Sequence, residues 1–171
     1  QLLKKSRDGL FQETVSYFNI CDIQKIKQFL SGVCMTDLKT ILLVDDHAVT
    51  MLARSQFLAA SGYRVITAAS GEEAVEISLS GAHTDLIFMD IDLGEGMDGT
   101  EAAARILARR DVPILFLSNH TEKEIVEKTG RISSYGYVVK ESGDTVLLAS
   151  INMAFRLYDA RLDILRQKNK F

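Results

Sequence analysis

The chain has 171 residues, 47% of them hydrophobic and 25% charged, proportions typical of an ordinary globular domain with a short appendage. The formal net charge of −3 is unevenly spread, with +2 over residues 1–36, −8 over residues 37–155 and +3 over residues 156–171. The acidic central region argues against binding to nucleic acid phosphates, and a bound divalent cation would relieve part of its internal repulsion.

Cysteine content and apolar runs limit the cellular setting. Cys21 and Cys34 show neither a disulfide framework nor zinc-ligand spacing, so we expect a reducing, cytoplasmic location. The longest apolar runs, such as ILLV and ILFL, are too short to cross a bilayer, and no membrane partner is expected. No signal peptide is visible at Gln1, where the chain starts in the manner of a fragment.

From Lys39 onward, short apolar runs alternate with helical patterns. Turn residues, helix caps and changes in periodicity mark the boundaries between them. In chain order, the predicted elements are a strand at 40–44, a helix at 47–61, a strand at 64–68, a helix at 70–79, a strand at 85–89, a helix at 99–110, a strand at 113–117, a helix at 121–130, a strand at 135–139 and a last helix from about 143 onward.

Five apolar strands alternating with helices predict a doubly wound α/β domain, with a parallel sheet covered on both faces. Open sheets of this kind place their functional residues at the carboxyl ends of the strands. Here that edge carries Asp45 and Asp46 after the first strand and Asp90 after the third. Ser118 and Lys140 follow the fourth and fifth strands.

These residue types combine into a site for phosphoryl chemistry. Mg²⁺ prefers oxygen ligands, and Asp45, Asp46 and Asp90 supply carboxylates for it. One oxygen of Asp90 can also act as a nucleophile toward a phosphoryl group. The ammonium of Lys140 would neutralise charge on the transferring oxygens, and the Ser118 hydroxyl could hydrogen-bond one of them.

This constellation resembles the receiver domain of two-component response regulators over about residues 38–155. The resemblance depends on residue types that occur in the same order, each at a predicted strand end. They are VDD at 44–46, Asp90 at the end of a strand, DG at 98–99, Ser118, and YGYVVK at 135–140.

The resemblance implies a flavodoxin-like sheet of order 2-1-3-4-5, which would occupy residues 37–155. It also implies that Asp90 accepts a phosphoryl group from a sensor histidine kinase or a histidine phosphotransfer protein. Asp45, Asp46 and Asp90 would hold Mg²⁺, together with the backbone carbonyl of Asp92. The domain would then switch partner contacts or dimerisation rather than turn over a metabolite.

The same resemblance implies roles for residues around the phosphoryl group. Ser118 would be the switch hydroxyl, Lys140 the lysine that pairs with the phosphate, and Tyr137 the aromatic whose rotamer follows phosphorylation. Asp92 and His120 each lie two positions beyond a key residue, at 90 and 118. We expect both to flank the entrance and to tune hydrolysis of the phosphoryl group.

Two departures from the family pattern affect the loops around this site. The loop from Asp90 to the DG pair is one residue longer than usual and contains Gly94 and Gly96 in place of a proline, which predicts a more mobile loop. Glu141 stands where a proline commonly follows the lysine, so no cis peptide is expected there.

Two other functions fit parts of the pattern. The sequence DIDLG also resembles the nucleophile motif of haloacid dehalogenase-like phosphatases, with Asp90 as nucleophile and Asp92 as general acid. That motif normally follows the first strand of the chain, whereas here it follows the third. A degenerate receiver that serves only as a protein-binding module is the second alternative.

The last helix is longer than a three-layer domain requires. If continuous from Asp144 to Asn169 it would be about 39 Å long, so residues 156–171 would project as a dimer contact or a connector. A set of apolar and aromatic residues at spacings of three and four predicts the contact surface. It comprises Leu148, Ile151, Phe155, Tyr158, Leu162 and Leu165.

The N-terminal extension, residues 1–36, fits the receiver pattern poorly. Residues 22–33 could form one amphipathic helix, with Asp22 at its start and Gly32 at its end. The extension is either the tail of an upstream module or a sequence added for expression. Because too few residues follow Lys140 to form a DNA-binding domain, no nucleic acid partner is expected for this fragment.

Overall fold

The computed structural model describes residues 38–119 and 135–168. The N-terminal extension, the predicted helix over residues 121–130 and His120 lie outside these ranges. The described elements are, in chain order, β1 (Thr40–Val44), α1 (Ala48–Ala60), β2 (Arg64–Ala68), α2 (Gly71–Leu79), β3 (Leu86–Asp90), α3 (Gly99–Leu107), β4 (Ile114–Ser118), β5 (Gly136–Val139) and α4 (Asp144–Lys168).

The five strands form one parallel sheet in the order β2-β1-β3-β4-β5. This confirms the predicted fold class and strand order. The strand order reverses between β1 and β3, so the loops that follow these two strands diverge at the carboxyl edge of the sheet. That divergence leaves a crevice at the place where the sequence puts its acidic residues.

Every residue of β1, β3 and β4 is buried, because helices cover both faces of the sheet. In β1, Leu42 and Val44 face a cluster that includes residues of α2 and α3, whereas Ile41 and Leu43 face a cluster that includes residues of α1 and α4. Each fully buried Leu or Ile contributes about 1.5–3 kcal/mol relative to an exposed one. Burial therefore fixes β1, which directly precedes Asp45, and β3, which ends at Asp90.

Side-chain caps set the start of two helices near the site. The Ser70 hydroxyl accepts a hydrogen bond from the Glu73 N–H at the start of α2 (3.2 Å). A carboxylate oxygen of Asp98 accepts one from the Glu101 N–H at the start of α3 (2.8 Å). Because each cap satisfies an amide that has no partner within its helix, the chain enters the helix at a defined residue.

Several predicted boundaries shift by one residue or more. β3 and β4 end at Asp90 and Ser118, so these polar residues are the last residues of their strands rather than the first of the following loops. α3 ends at Leu107, short of the predicted residue 110. The reason is tertiary, since the Arg110 guanidinium donates to the carbonyls of Ser78, Ala82 and Thr84.

The first half of helix α4 packs on the sheet. Leu147, Ile151 and Phe155 are buried in the domain core. Further along, the Tyr158 hydroxyl donates to the Asp111 carbonyl (2.9 Å). Contacts with the domain therefore continue beyond residue 155, and Ile151 and Phe155 of the predicted contact surface are used within the domain.

A different face of α4 is apolar and exposed. We define the α4 stripe as Val146, Met153, Leu157 and Ile164, whose side chains are all about half exposed. They are separated by seven, four and seven residues, which places them on one side of the helix at coiled-coil spacing. Among the described helices, α4 included, none combines the length and apolar character needed to cross a membrane.

Candidate functional site

A buried ion pair lies at the carboxyl edge of the sheet. Asp90, the last residue of β3, is fully buried, and one of its carboxylate oxygens pairs with Nζ of Lys140. Lys140 follows β5, and β4 lies between β3 and β5. The lysine side chain therefore spans the end of β4 to reach Asp90, and only 11% of it is exposed.

The second oxygen of Asp90 is also oriented by the protein. Its Oδ1 accepts a hydrogen bond from the backbone N–H of Asp92 (3.1 Å). Burial raises the pKa of the Asp90 carboxyl above its ordinary value, the ammonium of Lys140 and the Asp92 N–H oppose that rise, and the carboxylate of Asp45 adds to it. The group is a desolvated carboxylate held between a cation and an amide, an arrangement suited to nucleophilic attack.

Asp45 and Asp46 extend β1 into the same crevice. Asp45 is fully buried, and its two oxygens accept hydrogen bonds from the His47 N–H (2.9 Å) and from Nη1 of Arg54 (2.5 Å). Asp46 is partly exposed and contacts Nδ1 of His47 (2.7 Å) and the N–H of Gly94 (3.1 Å). Partial burial raises the pKa of Asp46, but the hydrogen bonds from His47 and Gly94 outweigh it and leave that pKa below its ordinary value.

The described residues contain one group with the donors of a metal site. Ligand atoms of Asp45, Asp46 and His47 all lie within 4.8 Å of one another. The two carboxylates supply the hard oxygen ligands that Mg²⁺ prefers, and the partly exposed Asp46 gives access from solvent. The donor chemistry therefore fits a divalent cation. His47 is exposed but lies against both acids.

Arg54 is a site residue that sequence reasoning missed. It lies on α1, where Met51, Arg54 and Leu58 follow one another at spacings of three and four and so share one face of the helix. Leu58 is fully buried. The sequence did offer a signal, because Arg54 shares a helix face with apolar residues that pack into the protein. A charge on such a face requires a buried partner of opposite charge. That partner is Asp45.

The loop between Asp90 and Asp98 is longer than in the family pattern but well anchored. Leu93 and Met97 are buried, and the Met97 N–H donates to a carboxylate oxygen of Glu72 (2.9 Å). The Gly94 N–H donates to Asp46, as described above. Both glycine-containing parts of the loop are therefore tied to neighbouring elements.

The DG pair at 98–99 fixes the approach of α3 to the site. Asp98 caps the helix, and the Gly99 N–H donates to the Ile91 carbonyl (3.0 Å). A Cβ atom added at Gly99 would lie 1.8 Å from the backbone oxygen of Asp90. Only glycine allows α3 to begin this close to the nucleophile strand.

The remaining predicted residues occupy different environments. Ser118 is fully buried at the end of β4, and its carbonyl accepts a hydrogen bond from the Lys140 N–H (2.9 Å). Asp92 is partly buried directly beside Asp90. Tyr137 lies on β5 with 39% of its surface exposed, and the Lys140–Glu141 peptide is trans. His120 lies outside the described residues.

Comparisons with known proteins identify the family of this chain. A family model described as the response regulator receiver domain matches residues 41–152. The chain is 30% identical over 118 residues to the transcriptional regulatory protein PdtaR of Mycobacterium tuberculosis, covering 68% of this chain and 56% of PdtaR. It is 32% identical over 118 residues to a cyclic di-GMP phosphodiesterase of Thermotoga maritima, covering 68% of this chain and 31% of that protein.

A solved structure gives the same result. The N-terminal domain of a response regulator/sensory box/GGDEF 3-domain protein from Carboxydothermus hydrogenoformans is 43% identical, with a TM-score of 0.68. The match covers 72% of this chain and 99% of that domain. The chain thus spans nearly all of a single solved domain but 56% or less of the two curated relatives named above, one of which carries the name of an enzyme.

Proposed function

This chain belongs to the response regulator receiver domain family, and we propose that Asp90 accepts a phosphoryl group from a phosphohistidine. The donor would be a sensor histidine kinase or a histidine phosphotransfer protein. The domain would take up one phosphoryl group per molecule rather than turn over a metabolite. The observation that carries this proposal is the buried ion pair between Asp90 and Lys140 at the carboxyl edge of the sheet.

The proposed reaction is a displacement at phosphorus. A carboxylate oxygen of Asp90 donates an electron pair to phosphorus, the bond from phosphorus to the imidazole nitrogen breaks, and the nitrogen keeps the bonding pair. The ammonium of Lys140 lies against the same carboxylate. The ammonium would then pair with the phosphoryl oxygens and stabilise their negative charge in a site with little competing water.

The acidic residues would provide the divalent cation site. Asp45, Asp46 and Asp90, with the backbone carbonyl of Asp92, are the proposed ligands of Mg²⁺. The ion would supply positive charge beside the transferring phosphoryl oxygens. The anchored loop matters here, because the Gly94 N–H bond to Asp46 fixes the second acid of the set.

Phosphorylation would be read out through β4, β5 and α4. We assign Ser118 as the switch hydroxyl because it ends β4 and its carbonyl binds the Lys140 backbone. A shift of Lys140 toward a phosphoryl group would therefore also move Ser118 and the start of α4. Tyr137, half-exposed on β5, is the proposed aromatic reporter of that shift.

We assign the α4 stripe as the dimer contact that phosphorylation regulates. The buried face of α4 packs within the domain, whereas the stripe is exposed apolar surface that a second copy could cover. Its coiled-coil spacing suits pairing with an identical helix.

We also propose that Asp92 and His120 tune hydrolysis of the phosphoryl group. Comparing the dephosphorylation rates of Asp92→Ala and His120→Ala with that of the wild type tests this role.

The haloacid dehalogenase-like alternative loses its support. Its motif belongs on the first strand of the chain, whereas Asp90 ends β3 in a sheet of order β2-β1-β3-β4-β5, and the family match is to receivers.

Intact-mass analysis after incubation with acetyl phosphate and Mg²⁺ tests the proposal. The wild type should gain one phosphoryl group, and Asp90→Asn should gain none. Asp111→Asn is a matched control, because Asp111 is an acid on the surface that pairs with Arg161. Labelling of Asp90→Asn equal to that of the wild type would assign the chemistry elsewhere, and no labelling of either protein would favour the degenerate receiver.

A further inference from the structure

Arg54 places a permanent positive charge against one of the acids proposed to hold the metal. Its Nη1 donates to Oδ2 of Asp45 at 2.5 Å, and only 14% of the arginine side chain is exposed. Asp45 has just 1% of its side chain exposed. A buried carboxylate is stable only when it is paired, so Arg54 acts as the counter-charge of Asp45.

A second hydrogen bond holds the guanidinium in this position. Nη2 of Arg54 donates to the backbone carbonyl of Lys140 (3.3 Å), the residue whose ammonium pairs with Asp90. The planar guanidinium thus connects the acid that follows β1 to the segment that follows β5. In the metal-free protein each of the two buried acids is thus paired with a basic side chain, Asp45 with Arg54 and Asp90 with Lys140.

The structure also provides space into which this cation can move. A cavity of about 310 Å³ lies between α1, β5 and the start of α4, and Arg54 is part of its wall. The lining includes the apolar side chains of Phe57 and Leu147 and the carboxylate-bearing residue Asp144. A guanidinium that leaves Asp45 therefore has room beside it and an acidic residue within the same cavity.

We propose that Arg54 is an internal competitor of the divalent cation at Asp45 and thereby sets how much Mg²⁺ the domain needs. In the metal-free protein the guanidinium occupies the carboxylate that the ion requires. Binding of the ion displaces the guanidinium from Asp45 toward the cavity. This inference rests on the proposed Mg²⁺ site and adds a residue that controls its affinity.

Calorimetric titration of the full chain with MgCl₂ at constant ionic strength tests the competition. Arg54→Met removes the positive charge but keeps an unbranched side chain, and it should bind Mg²⁺ about fivefold or more tightly than the wild type because the ion no longer competes with a guanidinium. Arg54→Lys keeps the charge and should stay near the wild-type affinity. Arg105→Met is the matched control, since Arg105 forms an exposed pair with Glu101 on α3, and its affinity should be unchanged.

The outcomes separate competition from a merely orienting role. If Arg54 only orients Asp45 as a ligand, Arg54→Met will bind Mg²⁺ with unchanged or weaker affinity, and the inference is wrong while the proposed function stands. If the wild type itself binds no Mg²⁺, the proposed function fails together with the inference. Arg54→Gln removes the same charge while retaining an amide donor, and it gives the same test should the methionine variant not fold.

Discussion

Gly99 and Asp90 are in direct backbone contact: a Cβ atom placed on Gly99 would lie 1.8 Å from the carbonyl oxygen of Asp90. The start of α3 is thereby pressed against the last residue of β3. The close approach brings the capped end of the helix to the strand that carries the proposed nucleophile. A single missing side chain thus allows the site to assemble.

Substitution of this glycine should be costly. Gly99→Ala forces backbone atoms apart, so we expect the free energy of unfolding to fall by about 2 kcal/mol or more, measured by urea denaturation. Gly143→Ala is the control, because a Cβ at Gly143 would meet nothing within 4 Å, and we expect a change of no more than about 0.5 kcal/mol. Equal stability of the two variants would contradict the close contact at Gly99.

Removal of the Lys140 ammonium should slow phosphorylation more than it alters the fold. Lys140→Met leaves the transferring phosphoryl oxygens without their cation, and we expect phosphorylation by acetyl phosphate to slow by about 100-fold. Intact-mass time courses give the rate, and Lys168→Met, at the exposed end of α4, serves as the control. A rate within a factor of two of the wild type would remove Lys140 from the proposed mechanism.

The raised pKa of Asp90 predicts a specific dependence of stability on pH. Because the folded state holds the proton more tightly than the unfolded state, the contribution of Asp90 to stability is greatest below its unfolded pKa of about 4 and is lost as pH rises through the higher folded pKa. Asp90→Asn lacks this titration. Without Mg²⁺, its stability relative to the wild type should therefore increase as pH rises above about 4.

Urea denaturation at a series of pH values, with a chelator present, measures this difference. Asp46 has a lowered pKa, so its contribution has the opposite sign and is lost as pH falls. Asp46→Asn, measured in parallel, should therefore lose stability relative to the wild type as pH rises from acid to neutral. A difference between Asp90→Asn and the wild type that does not vary with pH would show that Asp90 has an ordinary pKa.

The α4 stripe predicts where a dimer would form. Leu157→Glu places a charge on the exposed apolar face, and we expect it to prevent the dimerisation that we propose follows phosphorylation of the wild type. Analytical ultracentrifugation with and without acetyl phosphate and Mg²⁺ measures the oligomeric state. Asn152→Glu, exposed on the same helix outside the stripe, should still dimerise. Dimerisation of Leu157→Glu would assign the contact to another surface.

The amino-acid sequence alone predicted the sheet and the polar residues that lie at its carboxyl edge. Strands buried on both faces consist of continuous apolar runs, so β1, β3 and β4 stand out from their surroundings. The carboxyl ends of parallel strands share one edge, so the polar residues that follow those runs were predicted to be neighbours. In the structure Asp90 and Lys140 form an ion pair across the end of β4.

Only the tertiary structure decided which surfaces and charges complete the site. Three features depend on how a helix is rotated against the sheet. They are the pairing of Arg54 with Asp45, the hydrogen bond from the long loop to Glu72, and the burial of Ile151 and Phe155. In a helical sequence, residues at spacings of three and four can be found on more than one side of the helix. Spacing alone does not show which of these sides packs against the rest of the domain. Packing selects that face, because only one rotation buries the apolar side chains and still pairs each buried charge.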